Sequence, residues 1–470
     1  MSQPSDRTSS NPPHPSSLPP KPTAPMPGSP NSNTPSPPRK RPRTHAPNSR
    51  PTTSEPTPSA SSISHSTPTL FPIQPHHRFQ GSSARIKRPI EVAHFSYDDN
   101  HEYLEDESGI NYYHPPHIGA DLKDGFETFR HYEDKEDPHL DSLLKTLMLK
   151  EKRGETRVQA DFVTWRGMMT KILTAPFDFF AQFDMYATLH EGTIYIEEDF
   201  AAKAADRSSQ SSQQPPSRNQ YYTPNPNQPT YEMMTFWGYK FEVLSLLPNP
   251  PLETPQSVIA ARPQAPVSNY AQHCSIVRTA FGDSSLILGG EVDGLWGPKP
   301  TDPDAPIPWI ELKTSEELPY NRSKHDVLKF ERKLLKFWAQ SFLLGVGKVI
   351  VGFRSKAGIL RAVEVYETGQ IPGMVRRGTQ CWDGNTCINF ASALLSHLKE
   401  TITDEGVYRI TLRKKGGAVE VQKVQEKGTG AILSEEFLEW RAKGKAGAEK
   451  DENKVVSENL PAGGVSVAAT

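Results

Sequence analysis

Gly290-Glu291-Val292-Asp293-Gly294 is the most informative part of the sequence, together with Glu311-Leu312-Lys313, which begins eighteen positions after Asp293. Apolar residues precede both stretches, which indicates interior β-strands. Because side chains two apart on a strand point to the same face, Glu291 and Asp293 are predicted to project together, as are Glu311 and Lys313 from the next strand. The sequence therefore predicts three carboxylates and one ammonium group that converge from paired strands.

Carboxylates clustered on interior strands favour a bound metal ion. Like charges are costly to bury unless a cation neutralises them. Oxygen ligands without His or Cys favour Mg²⁺ or Mn²⁺ over zinc, so one of these two ions is the predicted cofactor. Lys313 is expected either to orient or deprotonate the attacking water, or to stabilise charge on the phosphorus-centred transition state. Both roles belong to phosphate-ester or phosphoanhydride hydrolysis, with Glu291, Asp293, Glu311 and Lys313 as the predicted catalytic residues.

An acidic residue followed, after a variable gap, by Glu-x-Lys resembles the core of PD-(D/E)xK nucleases. Elsewhere helical and strand periods alternate without a regular βαβ repeat, and neither GxGxxG nor GxxxxGK[ST] occurs. We therefore predict an α/β fold of the mixed α+β type. Twisted mixed β-sheets flanked by helices are expected to surround a PD-(D/E)xK-like metal centre.

Periodicity predicts the individual elements. The predicted helices cover Phe162 to Leu173 (through Trp165, Met169 and Ile172), Met233 to Phe241, and Val327 to Leu344. The predicted strands are Leu286 to Leu295, Trp309 to Thr314, Val349 to Val351, and a hairpin of Val407 to Leu412 and Ala418 to Val424 around Gly416-Gly417.

Composition divides the chain. With 45 prolines and only 35% hydrophobic residues among 470, part of it is predicted not to fold. Residues 1–85 are rich in Pro, Ser and Thr and are predicted to be a disordered tail, as are residues 443–470. A low-complexity stretch at about 203–229 is predicted to be a flexible insertion. The remainder, residues 86–442, is predicted to be a single catalytic domain.

The sequence also bears on compartment and partners. Neither a secretory signal nor an apolar run of eighteen residues occurs, so no membrane partner is expected. Three cysteines without paired spacing suit a reducing compartment, and a net charge of −2 argues against a globally basic nucleic-acid coat. The run Arg39-Lys40-Arg41-Pro42-Arg43 resembles a nuclear-localisation signal, with a merely solvated charge run as the alternative.

Three further polar residues are candidates for the site. Glu242 lies four residues after Gly238, whose missing side chain is expected to let that helix face approach another element; a surface carboxylate near Lys240 is the alternative. Arg166 is a candidate phosphate-binding fork or a helix-surface charge. Gln340 lies near an apolar helix face and is a candidate substrate contact or a partner of the helix backbone.

Six motifs occur in order along the globular part: FSYDD (95–99), TWRG (164–167), GYKFE (238–242), GEVDG (290–294), ELKTS (311–315) and KLLKFWAQSFL (333–343). This series resembles the DXO/RAI decapping-nuclease family, whose fungal nuclear members accompany the XRN-class 5′-3′ exoribonuclease. Chance can supply one such motif but hardly the ordered series.

The resemblance implies residue roles. Arg166 would contact substrate phosphates, with Trp165 and Gly167 beside it. Lys313 and Gln340 would face the substrate and the attacking water. The implied metal ligands are Glu242, Glu291, Asp293, Glu311 and the Leu312 carbonyl. The remaining implied substrate-binding residues are Glu291, Cys274 in the pocket lining and His101 at its entrance, where some relatives carry Arg.

The resemblance also implies an activity. The family hydrolyses the linkage between the first RNA nucleotide and its cap, so the expected substrates are 5′ triphosphates, incompletely methylated guanosine caps and NAD caps. The protein is then expected in the nucleus, where it would feed RNA to the exoribonuclease and stimulate it during RNA quality control and rRNA processing. Two alternatives stay open: a non-catalytic partner that stabilises the exoribonuclease, and a PD-(D/E)xK-type DNA endonuclease.

Overall fold

A computed structural model describes residues 67–154, 156–212 and 229–443. The strands are β1 Thr69–Pro72, β2 Ile86–Tyr97, β3 Tyr103–Leu104, β4 Tyr112–Tyr113, β5 Phe162–Trp165, β6 Phe183–His190, β7 Thr193–Glu198, β8 Leu246–Leu247, β9 Gln272–Phe281, β10 Ser284–Glu291, β11 Gly294–Leu295, β12 Trp309–Glu316, β13 Lys348–Arg354, β14 Leu360–Glu367, β15 Val407–Leu412 and β16 Ala418–Gln425. The α-helices are α1 Asp141–Lys152, α2 Arg166–Thr174, α3 Phe200–Ser212, α4 Tyr231–Ser245, α5 Gln256–Ala261, α6 Lys324–Leu344, α7 Ile371–Arg377 and α8 Gly384–Thr401, followed by a C-terminal helix at 435–443.

The strands form two mixed sheets. The larger one has the order β1-β16-β15-β6-β7-β5-β10-β9-β2-β3, and the smaller one β14-β13-β12-β11-β4-β8. β5 runs parallel to β7 and β10, and β12 runs parallel to β13, while most other pairs are antiparallel. Helix α2 packs against β10, α6 and α8, and apolar residues of these elements share one core. The predicted mixed α/β class is confirmed.

Most predicted elements match the structure. Helices α4 and α6 and the β15–β16 hairpin lie where the periodicity places them. Helix α6 begins after a capping box in which Ser323 and Asp326 satisfy each other's backbone N–H groups, and it ends at Gly345, which adopts a left-handed conformation. No helix among the described residues is both long and apolar enough to cross a membrane.

The helix predicted from Phe162 to Leu173 is wrong at its start. Phe162–Trp165 is strand β5, and α2 begins only at Arg166. A short apolar run has similar spacing in a buried strand and in a helix, so periodicity does not separate the two. Because Trp165 pairs with Gly289 of β10, the strand-to-helix turn places Arg166 beside the end of β10.

Glu291 and Glu311 do not lie on neighbouring strands, contrary to the prediction. Glu291 ends β10 in the ten-stranded sheet, whereas Glu311 lies on β12 of the six-stranded sheet. The chain passes between the sheets at Val292 and Asp293, and then β11 pairs antiparallel with β12. We call residues 291–293 the sheet crossing; the acidic stretches meet there rather than along one ladder.

Two predicted boundaries shift. Strand β1 pairs with β16 and a 3-10 helix follows at His76–Phe79, so the N-terminal residues of the fold extend into the predicted tail. Phe71 and Phe79 both pack on Phe390 of α8, which explains why this proline-rich stretch is ordered. Helix α3 likewise continues to Ser212, inside the predicted insertion. The basic run at 39–43 and residues 444–470 lie outside the described residues.

Candidate active site

Glu311 lies at the centre of a charged cluster. Its side chain is 2% exposed, with Oε1 2.5 Å from Lys313 Nζ and Oε2 3.1 Å from Arg166 Nη1. Burial alone would raise the pKa of Glu311, but Lys313 and Arg166 outweigh it and hold that pKa below its ordinary value. Glu311 is therefore a carboxylate that forms ion pairs with both the Lys313 ammonium and the Arg166 guanidinium group.

Asp293 faces the same strand from the sheet crossing. Its Oδ2 accepts the backbone N–H of Leu312 at 2.5 Å, which fixes the carboxylate against β12. Burial and the neighbouring Glu311 raise the pKa of Asp293 to about 7. Burial and the adjacent negative charge thus both disfavour the charged form of Asp293.

Glu242 and Glu291 complete the acidic cluster. Burial, with Asp293 and Glu291 nearby, raises the pKa of Glu242 well above its ordinary value. Burial also raises the pKa of Glu291, an effect that Arg166 partly offsets. Since the charges of these groups act on one another, α4, β10, the sheet crossing and β12 deliver their carboxylates to one place.

The donor set of this cluster fits a divalent cation. Buried carboxylates whose pKa values are raised lack a counter-charge, and hard oxygen donors are the ligands that Mg²⁺ and Mn²⁺ prefer. Among the described residues, no three of these four carboxylates bring oxygen atoms all within 4.8 Å of one another. Binding through three of these carboxylates thus requires their side chains to move closer together.

A cavity of about 420 Å³ opens beside the cluster, a size typical of small-molecule sites. Of the residues predicted for the site, its lining contains His101, Trp165, Gly167, Cys274 and Glu291. Among the described residues, the lining of this cavity does not include the other residues predicted for the site: Arg166, Glu242, Asp293, Glu311, Leu312, Lys313 and Gln340. Glu291 is accordingly the predicted metal ligand that faces both the cavity and the buried cluster.

Two glycines let β10 lie close to the TWRG segment. A Cβ on Gly289 would come within 2.8 Å of the Trp165 ring and of Leu143. A Cβ on Gly290 would come within 2.9 Å of Arg166 Cβ and of Leu344. Both distances are shorter than real Cβ contacts, so any larger residue would push Trp165 and Arg166 away from Glu291.

His101 is held at the cavity wall by aromatic stacking. Its ring lies 3.9 Å from the Tyr97 ring centroid and 3.7 Å from that of Tyr132, and its Nδ1 lies 2.9 Å from the Tyr270 carbonyl oxygen. The φ angle of +64° places it in a left-handed turn. His101 therefore shapes the cavity through a fixed ring, and its contact with substrate stays a prediction.

The structure places two other predictions less directly. Gln340 is half-buried on α6, which packs against α2, β10 and β12, the elements that carry the cluster. Gly238 does not mediate the predicted close approach, because a Cβ there would meet nothing within 4 Å. Glu242 comes near the other carboxylates through the position of α4 against β12.

Sequence reasoning missed His139 and Glu197, which also line the cavity. His139 Nδ1 lies 3.1 Å from both Glu197 oxygens, although 58 positions separate the two residues. The signal for Glu197 was present, since it follows the apolar run Ile194-Tyr195-Ile196 just as Glu291 follows Leu286 to Leu288. His139 itself carries no pattern that distinguishes it.

Comparison with known proteins gives concordant matches. The family described as "RAI1 like PD-(D/E)XK nuclease" matches residues 87–438. The chain is 47% identical over 373 residues to the decapping nuclease RAI1 of Emericella nidulans, covering 79% of this chain and 98% of that protein.

Solved structures agree with this. Candida albicans Rai1 in complex with pU5-Mn²⁺ matches with a TM-score of 0.71 at 26% identity, over 80% of this chain and all of that one. Scheffersomyces stipitis Rai1 in complex with (3′-NADP)⁺ and calcium ion matches with a TM-score of 0.68 at 28% identity, over 77% of this chain and 98% of that one.

Fold and site together define a nuclease of the PD-(D/E)XK class. Within that class, the chain belongs to the RAI1-like family. The predicted family and enzyme class are thereby confirmed.

Proposed function

We propose that this nuclease is a divalent-metal-dependent hydrolase that removes caps from RNA 5′ ends. The observation that carries the proposal is the pairing of Glu311 with both Lys313 and Arg166, beside three further carboxylates and an open cavity. Such a cluster joins acidic metal ligands with the cations that a phosphoryl reaction requires.

Each group has a task that follows from its position. Glu242, Glu291, Asp293, Glu311 and the Leu312 carbonyl would hold Mg²⁺ or Mn²⁺, which when bound polarises a phosphoryl oxygen and activates water. Arg166 would pair with substrate phosphate, since the planar guanidinium suits two phosphate oxygens at once. Lys313 would orient the attacking water or stabilise charge at phosphorus. Trp165, Gly167, Cys274, Gln340 and His101 would shape the surroundings of the first nucleotide.

The proposed substrates are RNAs with a 5′ triphosphate, an incompletely methylated guanosine cap or an NAD cap. All three place the scissile bond at the first RNA phosphorus, so one metal centre serves them all. The Candida complex with pU5-Mn²⁺ and the Scheffersomyces complex with (3′-NADP)⁺ support an RNA 5′ end and a dinucleotide as ligands. We further propose that the protein is nuclear and that its partner is an XRN-class 5′-3′ exoribonuclease. The partner would receive the RNA from which the cap has been removed, and the protein would stimulate it.

The test is to incubate the purified protein with differently end-modified RNAs, with and without Mn²⁺ or Mg²⁺, and to identify the released fragment by mass. We expect release only with metal, and a Glu311→Gln variant slower by roughly 10²- to 10³-fold, the scale for removing one charge-stabilising group. Glu316→Gln is the matched control, because Glu316 lies on the same strand and its ion pairs within the described part of the chain are with the exposed Lys329 and Lys356.

Two results would contradict the proposal: equal activity of Glu311→Gln and wild type, or cleavage within duplex DNA irrespective of an RNA 5′ end. Exoribonuclease stimulation is measured separately. If Glu311→Gln abolishes cap removal but retains stimulation, the two functions use different surfaces. If the wild-type protein stimulates without ever releasing a cap, the non-catalytic alternative is correct.

A further inference from the structure

Asp137, His139 and Glu197 form a second cluster of ligand-type groups on the wall of the same cavity. Asp137 and His139 belong to the turn before α1, and Glu197 lies near the end of β7. None of the three is part of the acidic cluster at the sheet crossing. In the described residues, this is the one group whose His, Asp and Glu ligand atoms all lie within 4.8 Å of one another.

Glu197 is a buried carboxylate that lacks partners outside this cluster. Its side chain is only 6% exposed, and among the described residues the sole donor to its two oxygens is His139 Nδ1. A carboxylate offers about four acceptor sites, so one shared N–H leaves most of them unsatisfied. Burial in that state is costly unless a cation is present.

Glu91 is a buried carboxylate comparable to Glu197, but its oxygens have several hydrogen-bond donors. It is similarly buried beside a histidine, His94, but it also accepts from Ser275 at 2.6 Å and from the Lys299 ammonium at 2.9 Å. Burial raises the pKa of Glu91, yet these partners bring it down to about 2, whereas burial raises the pKa of Glu197 to about 7. The difference is the Lys299 ammonium: among the described residues Glu197 has no such partner, and its one basic neighbour is His139, whose own pKa Glu197 raises.

The geometry of the three groups suits one ion. His139 Nδ1 lies 3.1 Å from the Glu197 oxygens and 3.7 Å from Asp137 Oδ1. Two ligands about 2.1 Å from a common ion lie roughly 3.0 to 3.4 Å apart, so the cluster needs only small adjustments. An imidazole with two carboxylates favours a first-row transition metal over Mg²⁺ or Ca²⁺.

We propose that Asp137, His139 and Glu197 bind a divalent first-row transition metal ion, at a site separate from the carboxylates of the sheet crossing. The turn that presents the ligands is fixed independently of any ion. The backbone N–H of His139 donates to Asp137 Oδ1 at 3.0 Å, and the backbone carbonyl of His139 accepts from Trp165 Nε1 at 3.1 Å. Binding of the ion would place positive charge in the cavity that Trp165 and Gly167 also line.

The experiment counts Mn²⁺ ions bound to the full-length protein by the electron paramagnetic resonance signal of free Mn²⁺, without any activity measurement. Four variants are compared with wild type: Glu197→Gln, His139→Asn, the double variant Glu291→Gln/Glu311→Gln, and His94→Ala. Asn suits the left-handed backbone of His139, whose φ angle is +45°. His94→Ala is the matched control, because His94 also lies between two carboxylates that Lys299 already neutralises.

We expect the double variant and His94→Ala to keep the Mn²⁺ site formed by Asp137, His139 and Glu197. Glu197→Gln and His139→Asn should lower the affinity of that site for Mn²⁺ at least about tenfold, a loss typical even of an outer-shell partner. Thermal unfolding of every variant verifies folding. The proposal is overturned if the double variant binds no Mn²⁺, or if Glu197→Gln and His139→Asn bind as much and as tightly as wild type. Failure of cap removal leaves this result unaffected, since only binding is measured.

Discussion

Arg166 and Glu311 link the two sheets through an ion pair of 3.1 Å. Arg166 is the first residue of α2, directly after β5 of the ten-stranded sheet, and Glu311 lies within β12 of the six-stranded sheet. Both side chains are largely buried, at 15% and 2% exposure. The pair therefore fixes how the two halves of the active site face each other.

Replacing Arg166 tests this link. Arg166→Gln removes the charge, whereas Arg166→Lys keeps it with a single point of contact. We expect Arg166→Gln to lower the free energy of unfolding by about 1.5–3 kcal/mol, the contribution of a charged hydrogen bond, and to reduce kcat/KM more than Arg166→Lys does. Urea denaturation and cap-release kinetics measure the two effects; equal kinetics for both variants would show that charge at this position is unimportant.

Alanine substitutions at Gly290 and Gly238 test two different reasons for a glycine: lack of space for a Cβ at Gly290, and backbone flexibility alone at Gly238. Gly290→Ala is expected to destabilise by about 1–3 kcal/mol, because its Cβ would strike Arg166 and Leu344. Gly238→Ala is the counterpart inside α4, where the new Cβ meets nothing within 4 Å and should stabilise by about 0.5–1 kcal/mol. Opposite shifts of Tm are the expected result, and shifts of the same sign would contradict it.

The C-terminal helix is held to α1 by one buried and one exposed ion pair. Glu151 accepts from Arg441 at 2.8 Å and from Trp440 Nε1 at 2.9 Å, and the Glu151 and Arg441 side chains are 5% and 4% exposed. Glu151→Ala leaves the Arg441 charge buried alone, which costs about 3–5 kcal/mol. Lys152→Ala breaks the exposed pair with Glu436 and a cation–π contact of 5.5 Å with Trp440, each worth at most about 1 kcal/mol. Guanidinium denaturation compares them, and equal losses would refute the distinction.

Glu91 gives a prediction for acid stability. Its pKa lies at about 2 in the fold, below the ordinary 4.5, so the charged form stabilises the folded state. This contribution, at most about 3 kcal/mol, is fully present above pH 4.5 and is lost as the pH falls from there towards 2. Glu91→Gln should accordingly be less stable than wild type at pH 7, with the difference shrinking below pH 4.5. A constant difference across that range would exclude the electrostatic origin.

The sequence predicts local order better than the joining of the sheets. The apolar stripe of α6 and the Gly416-Gly417 turn are local signals, and both appear where predicted. The separate sheets of Glu291 and Glu311 depend on pairing between distant strands, which side-chain alternation does not encode. For the same reason the spacing of residues 162–165 predicts a helix where the structure has a strand: the partner strands β7 and β10 lie far along the chain.

For the site, the sequence motifs identify which residues are chemically important, but they do not show where these residues lie relative to one another in the fold. The motifs singled out Glu311 and Lys313 as chemically important, and the structure brings them together with Arg166. His139 and Glu197 escaped notice because one stands in an ordinary turn and the other at the end of an ordinary strand. Only their spatial meeting makes them a cluster.

The raised pKa values of Glu242, Glu291 and Asp293 have a consequence for the stability of the fold. Buried carboxylates that repel one another destabilise the native state. Substitution by neutral side chains at these positions would therefore give a more stable but inactive protein. The same charges that suit these positions to a divalent ion therefore work against the thermal stability of the fold.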